Sequence, residues 1–583
     1  MNRLLSAVCL LLLCTGCAKQ EAAGPLWLAA GSLQPEGTPY YTDRILHHWD
    51  NMDDSVERGY AGRSIWGWAE DTVPAERIRT YGMLNQSIGI NGAVLNNVNA
   101  SPRVLDAAHL QRTAQIADLL RPYGIRTYLA INFASPQALG GLPTADPLDS
   151  TVVAWWRDKI AQIYTLIPDF GGVLVKACSE GQPGPQDFGR THADGANMLA
   201  DLLAPHNGIV MWRAFVYAPD SPDRANQAYE EFVPLDGAFR DNVIIQIKNG
   251  PVDFQPREPV SPLFFNLQRT AMMPELQITQ EYLGQSTQLC YLGTMWEECL
   301  DTLASHGAPT MRAIAGVANT GRDANWCGHV FAQANWYAFG RLAWDPTLSA
   351  EQIADEWLHH TFVRPRWCPR KTFEKKFIAP VKAMMMASRE TLVDYMMPLG
   401  LHHIFAGDHH YGPEPWYAPR GLRADWTPPY YHQAGPDGIG FDRTMQGSGN
   451  VAQYPEPLRS QYNNLETCPE NLLLWFHHVP WDYRMKSGET LWESLCRHYD
   501  RGVKAAGQFR ETWLRVKRYV DEDIWNEVAA KLDQQYTDAT IWRDACVQYF
   551  QTFSGRDIPA DVTPPAVPLD QIRQQISDTR RRR

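Results

Sequence analysis

An excess of positive charge is the first thing this 583-residue sequence lacks: 53 Lys and Arg stand against 65 Asp and Glu, a formal net charge of -12. A nucleic-acid binder needs a basic face to displace counterions from phosphates, so that class is excluded. Charge of either sign is scarce as well, at 20% of the chain, while 21 positions are Trp, which excludes a mostly disordered protein. Beyond the N-terminus no run of about 18 apolar residues appears, so nothing there reads as a membrane span. No internal repeat is visible, and the 11 cysteines form no C-x-x-C pair outside the leader, which leaves zinc ribbons and thioredoxin-like sites unsupported. What is present is apolar material, 44% of the chain, enough for a large core spread over more than one domain.

The N-terminus reads as an export signal: Arg3, an apolar run over Leu4–Leu13, then small and polar residues. Leu13-Cys14-Thr15-Gly16-Cys17 resembles a bacterial lipobox, with Cys17 as the residue that would carry lipid. Residues 1–24 are therefore expected to be leader and tether, and the protein to be exported, as a periplasmic or outer-membrane and cell-surface lipoprotein. Most of the eight later cysteines are expected to be buried free thiols.

Short β-branched and apolar runs recur from about residue 60 to 330, with helical stretches between them. The candidate strands are Ser64–Trp68, Asn91–Leu95, Arg126–Ile131, Gly172–Lys176, Ile209–Phe215, Val243–Lys248, Glu275–Thr279 and Ile314–Ala318. Each is right for a buried parallel strand, and helices such as Ala108–Leu120, Val152–Leu166 and Gly195–Leu203 separate them. Eight such units predict a (β/α)8 TIM barrel over residues 25–350. A mainly α-helical C-terminal domain is expected over 351–560, with helical segments Glu374–Arg389, Leu491–Asp523 and Asp523–Phe550. Within it, residues 401–470 are rich in His, Tyr, Pro and Gly and predict one long irregular, functional loop. The basic tail, 561–583, is expected to be frayed.

In a barrel of this type the chemistry sits at the C-terminal ends of strands. Strand four leads to Lys176 and Glu180, strand five carries Arg213, strand six ends in Lys248 ahead of Asp253, and strand seven runs to Glu281. Strand eight leads to Asp323, Asn325 and Trp326. On strands four to seven, three acids (Glu180, Asp253, Glu281) and three bases (Lys176, Arg213, Lys248) thus converge on one rim. Paired carboxylates suit glycosidic cleavage, in which one protonates the leaving oxygen and another activates water or attacks carbon. The cations beside them call for an anionic substrate group. The residues alone read as a barrel hydrolase acting on an acidic sugar.

Several segments resemble the α-glucuronidases of glycoside hydrolase family 67: IGINGAVLNNVNA (Ile88–Ala100), NFASP (Asn132–Pro136), GQPGPQDFGRTHADGANM (Gly181–Met198), WRAFVY (Trp212–Tyr217), QIKNGPVD (Gln246–Asp253), ELQITQEYLGQ (Glu275–Gln285) and WFHHVPWDYRMK (Trp475–Lys486). The resemblance covers roughly residues 40 to 560. It implies a (β/α)8 catalytic domain, a helical domain that makes a homodimer contact, and no cofactor. It also implies release of D-glucuronic acid or its 4-O-methyl ether from the α-1,2 linkage to xylose, with inversion, in small xylo-oligosaccharides from xylan. Glu180 is then the general acid, and Asp253 and Glu281 hold and deprotonate the attacking water, with the base left open between them. Arg213 and Lys248 clamp the uronate carboxylate, Lys176 contacts a sugar hydroxyl or that carboxylate, and Trp49 is an aromatic wall. Cations near Glu180 would depress its pKa, and the substrate carboxylate is expected to neutralise their field.

Two departures stand out. Relatives carry a β-containing domain ahead of the barrel, and the residues between the leader and His47 are too few to hold it. Cys178 also stands two positions before the acid, where a small polar residue is expected; its thiol is expected to be tolerated, with an effect on the acid loop as the alternative. The His pairs, His47-His48 among them, point to opposite faces of a strand and argue against a catalytic metal, while the segment His402–Tyr411 is a candidate pocket wall. The competing readings are a lipoprotein that binds glucuronoxylan fragments without cleaving them, and a hydrolase of another uronic-acid polymer. The three carboxylates favour an enzyme over a binder.

Overall fold

The computed structural model describes residues 35–215, 221–402 and 411–582. Eight strands, β1 (Asp43–His47), β2 (Gly92–Val94), β3 (Arg126–Ala130), β4 (Gly172–Val175), β5 (Ile209–Arg213), β6 (Val243–Lys248), β7 (Met272–Gln277) and β8 (Ala313–Val317), close into a parallel barrel in chain order. Helices between consecutive strands form the outer ring, each with its apolar stripe on the sheet, as in Ala107–Leu120, Ser150–Leu166 and His192–Leu203.

Two strands differ from the sequence expectation. The first is Asp43–His47, and Ser64–Trp68 is instead a buried segment of the loop that follows it. That loop is apolar because Trp66 packs edge-on against His48 at 5.0 Å and Tyr81 at 4.9 Å, outside the barrel wall. Asp43–His47 hides its strand character behind Arg44, whose buried guanidinium donates to the Gly89 and Tyr41 carbonyls. The seventh strand begins at Met272, so Glu275 lies within it and not at its start.

Side chains alternate across each strand, and this parity decides what reaches the barrel interior. Ile45, Leu174, Met211, Ile244, Met273 and Ala315 fill the interior cluster. Counting by twos from these toward the C-terminal end reaches His47, Lys176, Arg213, Gln246, Lys248, Glu275 and Gln277. The barrel is therefore apolar below and polar at its mouth, where the amide of Gln246 meets His47 Nδ1 at 3.1 Å. His48 faces the other side of the strand and meets the Tyr81 hydroxyl at 2.8 Å.

The C-terminal part packs around three helices, Ala379–Met396, Leu491–Val516 and Glu522–Ser554, and one apolar core runs on into the barrel's helices. The long helical stretch breaks at 517–521, where the indoles of Trp513 and Trp525 each donate to the other's carbonyl at 3.0 Å. Thr490 and Glu493 cap the first of the pair reciprocally. Residues 411–472 are mostly irregular, with short turns of helix. The tail expected to fray forms a helix, Leu569–Arg582, with Ile572 buried and the Arg573 guanidinium 4.9 Å from the Trp416 ring. An arginine-rich end looked solvated in sequence, but an amphipathic register buries Ile572 and half-buries Leu569 and Ile576. All eight cysteines of the described residues are free thiols, six of them buried.

The irregular excursion is tied to the barrel by a buried ion pair. Arg443 donates to Asp223 at 2.9 Å and to the Trp475 carbonyl at 2.8 Å, and neither charge reaches solvent. Beside it the Tyr430 hydroxyl donates to the Pro222 carbonyl at 2.7 Å and accepts the Arg224 amide at 3.1 Å. The C-terminal part thereby holds the segment after β5 that carries Arg224.

Candidate active site

Three loops at the barrel mouth carry the carboxylates. After β4 the chain turns sharply, with Cys178 at φ 55°, Glu180 at φ 50° and Gly181 at φ 76°. Two non-glycine residues in the left-handed region mark a loop held by its surroundings, as functional turns often are. Cys178 is part of that hold: its thiol reaches the Gln186 side-chain carbonyl, and a Cβ on Gly184 would lie 2.0 Å from its sulfur. Burial pushes the Cys178 thiol up to about 12, so it stays neutral and serves as packing.

After β6, the backbone amides of Val252, Asp253 and Gln255 converge on the Glu258 carboxylate at 2.8–2.9 Å, which folds the loop so that Asp253 turns back to Lys248. Its second oxygen accepts from the Tyr282 hydroxyl. After β7, Glu281 accepts from the Gln277 amide at 2.9 Å and from Arg58 Nε at 2.7 Å.

The cations line the same mouth. Lys176 bonds Glu180 and, at 2.8 Å, Asn99. Asn99 in turn donates to Glu57 at 3.0 Å. Arg213 lies on Glu275 through Nε at 2.9 Å, both groups buried. The Phe215 ring is the hub, with Lys248 at 3.5 Å, Arg213 at 5.1 Å, Lys176 at 5.3 Å and Arg224 at 6.0 Å from its centroid. The Trp49 ring centroid stands 5.5 Å from the Arg213 guanidinium.

These contacts set the protonation states. Burial opposes ionisation of Asp253, but Lys248, Arg224 and the Tyr282 hydroxyl outweigh it and hold the carboxyl far below the usual range. Burial likewise works to raise Glu180, yet the charge and hydrogen bond of Lys176 prevail and its pKa falls, with the field of Asp253 resisting. Burial lowers both Lys176 and Lys248, against the pull of their carboxylates. The free site therefore holds its lysines and carboxylates as matched ion pairs.

The six strand-end residues and Trp49 thus lie together at the barrel mouth, and so do residues that sequence reasoning missed. Arg58 comes from the loop misread as a strand. Arg224 lies in a segment assigned to no element. Tyr282 directly follows Glu281, and a phenol there was a readable signal. The strand-eight residues have other partners: Asn325 ties to Glu527 at 2.9 Å, Asp323 faces Lys531, and Trp326 packs on Tyr81 and Trp336 at 5.7 Å. Cys17 lies outside the described residues, as do residues 403–410 of the proposed wall segment. Of that segment's ends, His402 is buried edge-on against Trp475 at 4.4 Å and Tyr411 bonds Asp538 at 3.1 Å.

The sequence matches the Glycosyl hydrolase family 67 middle domain over residues 29–326 and the Glycosyl hydrolase family 67 C-terminus over 327–563. The chain belongs to glycoside hydrolase family 67. Among curated proteins it is 42% identical over 548 residues to Alpha-glucuronidase A of Emericella nidulans, covering 88% of this chain and 62% of that protein. It is 39% identical over 556 residues to the Probable alpha-glucuronidase A of Aspergillus clavatus, covering 91% of this chain and 64% of that protein. The chain thus spans somewhat under two thirds of the length of these relatives.

At this mouth Arg58 reaches Glu281 from a partly exposed loop. Arg58→Ala is expected to lower kcat by about tenfold to a hundredfold, the scale of a small misplacement of a reacting group, with KM little changed. A rise in KM alone, with kcat kept, would assign Arg58 to substrate binding instead.

Proposed function

We propose that this protein is an α-glucuronidase that releases D-glucuronic acid, or its 4-O-methyl ether, from the α-1,2 linkage to xylose in xylo-oligosaccharides, with inversion. The observation that carries the reading is the set of four cations around Phe215 beside three carboxylates at one barrel mouth. Glu180 protonates the leaving xylose oxygen. Asp253, kept ionised by Lys248, and Glu281, oriented by Arg58 and Gln277, hold and deprotonate water on the opposite face of the sugar. Arg213, Lys248 and Lys176 receive the uronate carboxylate, and Trp49 closes one side.

A proton NMR time course on one aldouronic acid tests activity, linkage and stereochemistry together. First appearance of the β-anomer of free glucuronate supports the reading; the α-anomer contradicts inversion, and binding without release indicates a glucuronoxylan-binding protein. We further propose export with a lipid on Cys17, checked by loss of fatty-acid labelling in Cys17→Ala. A homodimer through the C-terminal part is checked by light scattering.

A further inference from the structure

The cations offered to a uronate at this mouth are already occupied. Lys176 holds Glu180, Lys248 holds Asp253, Arg213 holds Glu275 and Arg58 holds Glu281. Arg224, which also faces Asp253, is bonded to the Tyr431 hydroxyl. An incoming carboxylate therefore exchanges with one that is present, because a buried anion left unpaired costs too much.

The four resident carboxylates differ in their freedom to leave. Glu275 is 0% exposed, Glu281 5% and Asp253 17%, whereas the Glu180 side chain is 37% exposed. Glu281 and Asp253 are also gripped from a second side, by Gln277 and Tyr282. Glu180 has one hydrogen-bond partner among the described residues, Lys176, and it hangs from the left-handed turn after β4. Lys176 in contrast is fixed, its side chain 1% exposed and its ammonium anchored on Asn99.

We propose that the glucuronate carboxylate takes Lys176 from Glu180, and that the released Glu180 binds a proton from solvent, so that the substrate loads the acid needed for its own cleavage. The exchange rests on the α-glucuronidase reading above. The step balances as one O–H bond formed on Glu180 with a solvent proton: one anion enters, one carboxylate is neutralised, and the charge of the pocket is kept. The groups facing Glu180 favour this. Asp253 and the arriving uronate are both negative, and Glu57 adds its charge beside Lys176; Lys248 and Arg213 oppose them, but each already faces a resident carboxylate and, with Lys176, the uronate. A neutral glucoside leaves Lys176 on Glu180 and the acid unloaded, so discrimination falls on kcat as well as on affinity.

The test is proton uptake when the full chain is mixed with sodium glucuronate in a pH-stat at about pH 6, above the ordinary carboxyl range. Net uptake of part of a proton per glucuronate bound is expected, growing as the pH is lowered toward the carboxyl range, and none with glucose. Glu180→Gln should bind glucuronate severalfold more tightly, having no anion to displace, and take up no proton. In Lys176→Met, the alkaline limb of kcat/KM should move to higher pH, since the group that lowers Glu180 is gone. Glucuronate bound without uptake, or equal uptake in Glu180→Gln, overturns the exchange. Failure of the wild-type protein to bind glucuronate at all, followed by calorimetry, overturns the functional reading beneath it.

Discussion

Replacing Glu180 with Gln is expected to reduce release of glucuronate from an aldouronic acid by about 10²–10⁴-fold, the usual contribution of a positioned general acid. The amide keeps the shape of the side chain on its left-handed turn, so the loop that seats it should persist. The diagnostic is the leaving group. Xylose leaves as a poor, strongly basic alkoxide and needs the proton, whereas 4-nitrophenolate leaves without one. Glu180→Gln should therefore keep most of its turnover on 4-nitrophenyl α-glucuronide while losing it on the xyloside. Equal losses on both substrates would remove Glu180 from the acid role and point to a role in binding.

The second large effect concerns Arg213, and here the structure changes the expectation. From sequence its removal should chiefly weaken substrate affinity. In the folded protein Arg213 is also the counter-ion of Glu275, in a pair whose two side chains are both buried. Breaking a buried pair by deleting one partner costs about 3–5 kcal/mol. Arg213→Ala should accordingly lower the unfolding temperature by several degrees as well as abolish tight glucuronate binding. The double variant Arg213→Ala/Glu275→Gln separates the two roles: it should recover most of the thermal loss and none of the affinity. Recovery of both would make Arg213 a structural counter-ion only.

The barrel and most of its site were legible because parity along a strand is simple arithmetic. Once Gly172–Val175, Ile209–Arg213 and Val243–Lys248 are strands, the inward positions at their ends fall on Lys176, Arg213 and Lys248. The opening strand was missed because Arg44 breaks its apolar run, and its polar head is satisfied by carbonyls that only the folded chain brings near. Arg58 was illegible for a related reason: its partner Glu281 is 223 positions away and nothing local marks the contact. Charge matching was hidden too. Lysines and an arginine on one rim suggest cations awaiting a ligand, whereas the structure gives each a carboxylate of its own. Glu275 in particular was read as a strand start, when its place inside β7 is what puts it under Arg213.

The Asp223–Arg443 contact limits how such enzymes can be recombined. The conventional cut between the two family segments falls after residue 326, and it would strand an aspartate inside the barrel piece and an arginine inside the other. A chimera that joins this barrel to a relative's C-terminal half must bring a matching arginine at the same spot, or replace both residues with apolar ones. The boundary drawn along the sequence is not a seam in the molecule.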